Sequence, residues 1–253
     1  MGRVFEAYRA VHEQGFVPIF VQDDFDSRDL VEACLSDGIR VIEYTLRRPD
    51  APEMIPWIRK TYPDLYLMAG STLDDEGIVE GMRRRHPQLM TLQQLADAGV
   101  DGFVSMLGWS LESIRKYSPT HVVIPSAHSA TQAFLQTGGG AHFQKLSGAH
   151  LDLVRQCRMA PTFEFCPIFV TGGISDERMR EATEAGAVLL ASGFDVMLKG
   201  RPTDIGVKEI AEALSLYVET AQQSRKQVWP EVAAAVGADR QAWLDSLPHY
   251  HPF

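Results

Sequence analysis

Lys145, Glu43 and Arg47 are the residues of this sequence whose types and settings could carry covalent and acid–base chemistry. Lys145 lies toward the end of the short run Ala141-His142-Phe143-Gln144-Lys145-Leu146-Ser147. A lysine aimed into a partly dry pocket, or placed beside another cation, loses its proton more readily. Its free amine can then attack a carbonyl carbon and form a Schiff base. Glu43 and Arg47 belong to Val41-Ile42-Glu43-Tyr44-Thr45-Leu46-Arg47, where strand alternation puts Ile42, Tyr44 and Leu46 on one face and Val41, Glu43, Thr45 and Arg47 on the other. A carboxylate in such a place can shuttle protons, and a guanidinium can grip a ligand carboxylate through paired hydrogen bonds. Buried charges are costly unless they are solvated or work on a ligand. Each reading has a plainer rival: Glu43 and Arg47 as a structural ion pair, and Lys145 as a side chain whose stem follows the sheet while its ammonium reaches water.

The elements that must position these residues follow a regular pattern. Eight short runs rich in β-branched residues, each bounded by glycine, proline or polar residues and followed by a helical pattern, read as parallel strands with crossover helices. They are Val17–Gln22, Arg40–Leu46, Tyr66–Thr72, Gly102–Leu107, His121–Ala127, Ala141–Ser147, Cys166–Gly172 and Ala187–Gly193. The one long interval, before the fourth run, has room for an extra helical piece around Gly77–Arg85 ahead of a regular helix at Thr91–Ala98. Helix punctuation fits as well: Asp26-Ser27 precedes Arg28–Leu35, and Ser175 precedes Asp176–Ala185, which stops at Gly186. The expected fold class is α/β, a (β/α)8 TIM barrel. Its rival, an open doubly wound sheet, often carries a glycine-rich fingerprint after the first strand, where this chain has Val21-Gln22-Asp23-Asp24. We expect a single barrel domain over residues 1–253: a leading helix in 1–16 (Val4–Gln14), the barrel in 17–220, and a C-terminal helical extension in 221–253 with one or two short helices in Val228–Leu247.

Composition narrows the function. At 253 residues with a formal net charge of -9, the chain is long enough for one such barrel and too acidic on average for sequence-independent nucleic-acid binding. The basic run Arg83-Arg84-Arg85-His86 reads as a solvated helix end. No apolar run of about 18 residues occurs, so neither membrane spanning nor secretion is expected, and the chain reads as cytoplasmic. Cys34, Cys157 and Cys166 are too few and too scattered for a disulfide framework and read as reduced core thiols. His249 and His251 in the tail lack a third convergent ligand for a metal.

In a barrel of this type, function is built at the C-terminal ends of the strands. Runs seven and eight end in Thr171-Gly172-Gly173-Ile174-Ser175 and Ala191-Ser192-Gly193-Phe194. Glycines there expose backbone N–H groups beside a helix N-terminus, a setting suited to an anion. A tight turn is the alternative.

Taken in order, these segments resemble the 2-keto-3-deoxy-6-phosphogluconate and 4-hydroxy-2-oxoglutarate aldolases, over about Val17 to Leu198. Arg40-Val-Ile-Glu43-Tyr-Thr-Leu-Arg47 is similar to the family's second strand, Ala69-Gly70-Ser71 to its Ala-Gly-Thr after strand three, and Lys145-Leu146 to its Schiff-base lysine and following apolar residue. The resemblance implies a class I aldolase that cleaves a 4-hydroxy-2-keto acid, phosphorylated or not, to pyruvate and an aldehyde. Lys145 and Glu43 would be catalytic. Arg47 and Ser71 would hold the keto-acid carboxylate, while Thr171, Gly172, Gly173 and Ser192 would take the distal phosphate or polar end. It implies no metal and no cofactor, a small 2-keto acid as the binding partner, and a homotrimer. Ser147-Gly148 stands where the family usually has an aromatic residue and a proline. Ser105-Met106-Leu107-Gly108 and Pro125-Ser126 depart from its Ser-Pro-Gly and Pro-Gly, so a changed substrate is expected before a changed fold. Strand register leaves an alternative in which Gln144 faces the lumen and Lys145 the helices. Two other functions fit the residues: a barrel that binds a phosphorylated or carboxylate metabolite without aldol chemistry, and a metal-dependent lyase or epimerase using Glu43 with His128 or His142. The Arg83–Gln93 insertion and the C-terminal extension are candidates to cover the mouth or an oligomer interface.

Overall fold

A computed structural model describes residues 2–21, 24–159 and 164–253. All eight expected strands are present: β1 (Phe16–Phe20), β2 (Val41–Thr45), β3 (Tyr66–Gly70), β4 (Gly102–Val104), β5 (Val122–Ile124), β6 (Gln144–Ser147), β7 (Ile168–Thr171) and β8 (Leu189–Gly193). The expected end of the first strand at Gln22 lies outside the described residues. Neighbouring strands pair in parallel in the order β5-β4-β3-β2-β1-β8-β7-β6. The remaining gap, between β6 and β5, is bridged at Ser126 and Lys145, where the Lys145 N–H donates to the Pro125 carbonyl at 2.9 Å and the Ala127 N–H to the Lys145 carbonyl at 3.0 Å. The sheet therefore closes into a (β/α)8 barrel.

Alternation sorts the core into two layers. Phe20, Ile42, Tyr44, Leu67, Phe103, Leu146 and Val170 pack against the helices, whereas Val17, Ile19, Val41, Met68, Val104, Phe143 and Phe169 fill the lumen. The helices between strands start where capping chemistry places them. In α2 (Ser27–Ser36) the Asp26 carboxylate accepts the Arg28 N–H. At α5 (Leu92–Asp97) Thr91 and Gln94 cap each other's backbone N–H groups. The extra helix, α4 (Glu76–Met82), occupies the long interval, and Arg84, Arg85 and His86 just beyond it are exposed, as a solvated helix end requires. The three cysteines are buried and free.

The C-terminal extension goes to the opposite end of the barrel from the one expected to need a cover. A long helix, α11 (Val207–Val228), lies against α2 and α9 (Asp176–Ala185) and leads into α12 (Pro230–Ala234) and α13 (Arg240–Asp245). These bring Trp243, Leu244 and Phe253 against Phe5 and Tyr8 of the leading helix α1 (Arg3–Gln14) and against His142 and Phe143 just before β6. The reason is apolar demand: the strand N-termini expose lumen side chains that a short barrel cannot cover by itself.

This cap also sets a pH dependence. His142 is buried, accepts the Val123 N–H on Nδ1 at 3.1 Å, and is held by burial down to about 3. His12, also buried, meets His249 at 3.1 Å between Nε2 atoms. Burial first, and then the His249 and Arg225 charges, hold it well below the usual histidine value. The half-buried His249 is lowered to about 4, chiefly by burial. The unfolded chain binds protons near the ordinary value of about 6.5, and the folded chain does not. The stabilisation is therefore complete above that pH and is lost as pH falls toward the folded values. Unfolding by urea at pH 7 and pH 5 is expected to show a loss of about 2 kcal/mol from His142 alone at pH 5, with His12 and His249 adding to it. Equal stability at the two pH values would contradict this reading of the cap.

Candidate active site in the barrel lumen

Register decides the first question. Gln144 faces the helices: it donates to Thr137 Oγ1 at 3.2 Å and accepts from Gln136 Nε2 at 3.0 Å, both from α7 (Ala130–Gly138). Phe143 and Lys145 consequently face the lumen, and the alternative with Gln144 inward is excluded. Glu43 points inward from β2. The two charges meet, with Lys145 Nζ 3.6 Å from Glu43 Oε1 and both side chains almost wholly buried. The ammonium also lies 5.9 Å from the centre of the Phe169 ring, its register partner on β7. Apolar residues form the floor beneath the pair. Above it, the inward positions toward the mouth are small and polar: Thr45, Ser147 and Thr171.

Glu43 is held by what its neighbours lack. Gly70 is inward on β3, and a Cβ there would run into Glu43 Oε1 and would come within 2.9 Å of Thr45 Cγ2. The glycine thus makes the space in which the carboxylate sits. Thr45 in turn donates its hydroxyl to the Phe20 carbonyl at 2.7 Å. The second oxygen of Glu43, Oε2, is buried and has no hydrogen-bond partner among the described residues. A buried acceptor of this kind is costly to leave unpaired, and a substrate proton or a water is what it lacks.

Electrostatics tune the amine. Burial lowers the Lys145 pKa; Glu43 opposes this by favouring the ammonium, and the Arg47 charge adds to the lowering. The downward direction prevails, which raises the fraction of neutral, nucleophilic amine at a given pH. Arg47 itself is exposed just past the end of β2, so the sequence's alternative of a Glu43–Arg47 ion pair is not what forms: Glu43 pairs with Lys145.

The remaining expected residues divide. Ser71 follows β3 with a φ of 60°, the only left-handed residue other than glycine among those described. Such a conformation is strained and tends to be kept where a site needs it. Thr171 is buried at the end of β7, and Gly172 and Gly173 follow with φ of 85° and 65°, a turn that glycine permits. Ser192 does not reach the lumen. It takes the outward place next to Leu190, and its hydroxyl donates to the Ile174 carbonyl at 2.9 Å, tying the ends of β7 and β8 together. His128 stands at the mouth in a cleft of about 700 Å³ with Ser147, His150, Arg155 and Arg178, whereas His142 is at the far end of the barrel and cannot join Glu43. His249 also belongs to that far end, against His12.

Sequence reasoning passed over Arg48. Its buried guanidinium donates to the Tyr44 hydroxyl at 3.1 Å, to Asp50 at 3.2 Å and to the Phe25 carbonyl at 3.1 Å. Burial would raise the Asp50 carboxyl, but the hydrogen bonds from Arg48, Tyr44 and Ser27 win and lower it. This network fixes the loop that carries Arg47. The only signal in the sequence was an arginine two residues before the aspartate that precedes a helix.

Comparison with known proteins agrees with this geometry. No family model matches the chain. A 2-dehydro-3-deoxy-phosphogluconate aldolase of Zymomonas mobilis is 26% identical over 211 residues, 81% of this chain and 93% of the relative. A solved 4-hydroxy-2-oxoglutarate/2-dehydro-3-deoxyphosphogluconate aldolase shares the fold with a TM-score of 0.63 at 17% identity, covering 87% of this chain and 99% of its own. The KDPG aldolase of Legionella pneumophila, solved with pyruvate captured as a covalent carbinolamine, gives a TM-score of 0.60 at 20% identity, over 87% of this chain and 97% of its own. The residues of β2, β3 and β6 and the barrel that places them thus point the same way: over most of its length the chain is similar to the 2-keto-3-deoxy-6-phosphogluconate and 4-hydroxy-2-oxoglutarate aldolases, and it has their fold.

Proposed function

We propose that this chain is a class I aldolase, an aldehyde-lyase that cleaves a 4-hydroxy-2-keto acid to pyruvate and an aldehyde. The observation that carries the reading is the enclosed Lys145–Glu43 pair at 3.6 Å in the lumen. The lowered amine of Lys145 attacks C2 of the keto acid, and loss of water from the carbinolamine leaves a protonated imine. Glu43 Oε2 takes the proton of the C4 hydroxyl as the C3–C4 bond breaks. The bonding pair passes into the imine, giving an enamine, and the aldehyde departs. Return of a proton to C3 and addition of water release pyruvate and restore the amine. The imine itself is the electron sink, so this route needs neither metal nor cofactor. Arg47 and Ser71 hold the pyruvyl carboxylate, which fixes C2 against the amine. Thr171, Gly172 and Gly173 border the space for the rest of the substrate. A cytoplasmic homotrimer acting on a small-molecule 2-keto acid completes the proposal.

The test is borohydride reduction in the presence of pyruvate followed by peptide mass analysis. A stable pyruvyl adduct on Lys145 is expected, and correctly folded protein left unmodified would exclude the reading. Gly70→Ala tests the placement of Glu43. The added methyl displaces the carboxylate without backbone strain, since Gly70 is not left-handed. We expect a drop of about 100-fold in kcat for a misplacement of about an ångström, with the Lys145 adduct still formed. Unchanged turnover would show that Glu43 needs no such room.

A further inference from the structure

We infer that Asp195 makes this site select a substrate whose far end bears free hydroxyls and rejects one whose far end bears a phosphate. The inference rests on the aldolase reading and adds the substrate class. Leu189 and Ala191 face the lumen from β8, so Gly193, two residues on, faces it too. A Cβ on Gly193 would run into Asp195 Oδ1 and would come within 2.8 Å of Val21 Cγ2. The carboxylate of Asp195, in the first turn of the short helix α10 (Phe194–Met197), therefore stands where a lumen-facing side chain of residue 193 would be, at the rim between β8 and β1. The seryl hydroxyls that the β7 and β8 ends could offer a phosphate are meanwhile engaged. Ser192 gives its hydroxyl to Ile174, and Ser175 gives its own to Glu177 at 2.5 Å. Asp176 and Glu177 also occupy the first turn of α9, whose N-terminus would otherwise attract an anion.

A phosphate dianion brought beside Asp195 meets like-charge repulsion in a mouth partly screened from water. A hydroxyl in the same place donates a charge-assisted hydrogen bond to the carboxylate. Of the cations near the mouth, Arg155 is paired with Asp152 at 2.9 Å and Glu181 at 3.3 Å, and Arg178 donates to the Gly148 carbonyl at 3.0 Å, while Lys199 and Arg201 share a cleft with Asp195 but are exposed, so that water screens them.

The experiment measures pyruvate release from a six-carbon 2-keto-3-deoxy sugar acid and from its 6-phosphate, with the wild-type chain, Asp195→Asn and Asp195→Ser. The wild type is expected to favour the unphosphorylated acid by about tenfold or more in kcat/KM. Both variants should shrink that ratio at least about tenfold, chiefly through a lower KM for the phosphorylated acid. A wild type that favours the phosphate, or a ratio that both variants leave in place, overturns the inference, the second result pointing to the Arg155 and Arg178 side instead. A chain that traps pyruvate on Lys145 but cleaves neither acid also overturns it and leaves the Schiff base standing. A chain that traps no pyruvate removes the aldolase reading itself.

Discussion

Lys145→Met is expected to abolish the borohydride-trapped pyruvate adduct and to lower the rate of pyruvate release by a factor on the order of 10⁴ or more, the scale on which removal of a covalent nucleophile is felt. Methionine keeps the unbranched stem against Phe169 while removing the nitrogen, so lost packing is not the cause. The substitution leaves Glu43 buried without its cation, a situation that costs about 3–5 kcal/mol when the charge persists. That cost is smaller than the stability of an ordinary domain, about 5–15 kcal/mol, so the barrel should stay folded. Circular dichroism and an unfolding curve establish the fold, and single-turnover trapping establishes the chemistry. An adduct of undiminished yield in the variant would place the reactive amine elsewhere.

Glu43→Gln should separate the two roles of the pair. Glutamine has the shape that Gly70 accommodates and avoids the clash that a bulkier residue would cause. It cannot take the C4 hydroxyl proton, so kcat is expected to fall by about 10²–10⁴, the usual worth of a positioned general base. Lys145 retains its amine, and reduction with pyruvate should still yield the adduct, more slowly. Arg47 and Ser71 are unaffected, so KM should move far less than kcat. Turnover within a few-fold of the wild type would remove Glu43 from the proton path and leave its carboxylate as only a partner for the ammonium.

The eight strands were legible because each buries at least one face, which demands β-branched or aromatic residues at fixed spacing. Their ends were less so. The runs Gly102–Leu107 and His121–Ala127 shorten to Gly102–Val104 and Val122–Ile124, since residues past those points turn into the mouth loops and pair with other partners, as Ser105 does with the Thr72 carbonyl. The extension's destination was also hidden. Tryptophan, leucine and phenylalanine in Arg240–Phe253 announce burial but not against what, and only the assembled barrel shows that its uncovered end is the one bearing Tyr8, His142 and Phe143.

From the order of its residues alone this chain declares a parallel barrel, a lysine, a glutamate and an arginine near strand ends, and a resemblance to keto-acid aldolases. A strand's two faces differ by a single step along the chain, so alternation could not say whether Lys145 or Gln144 entered the lumen. That was decided by Gln136 and Thr137, which offer Gln144 hydrogen bonds on the helical side. The same dependence on partners distant in sequence turned Ser192 outward toward Ile174, joined Glu43 to Lys145 rather than to Arg47, and set Asp195 over Gly193. Burial and pairing are properties of the closed sheet, and they exist only once all eight strands have met.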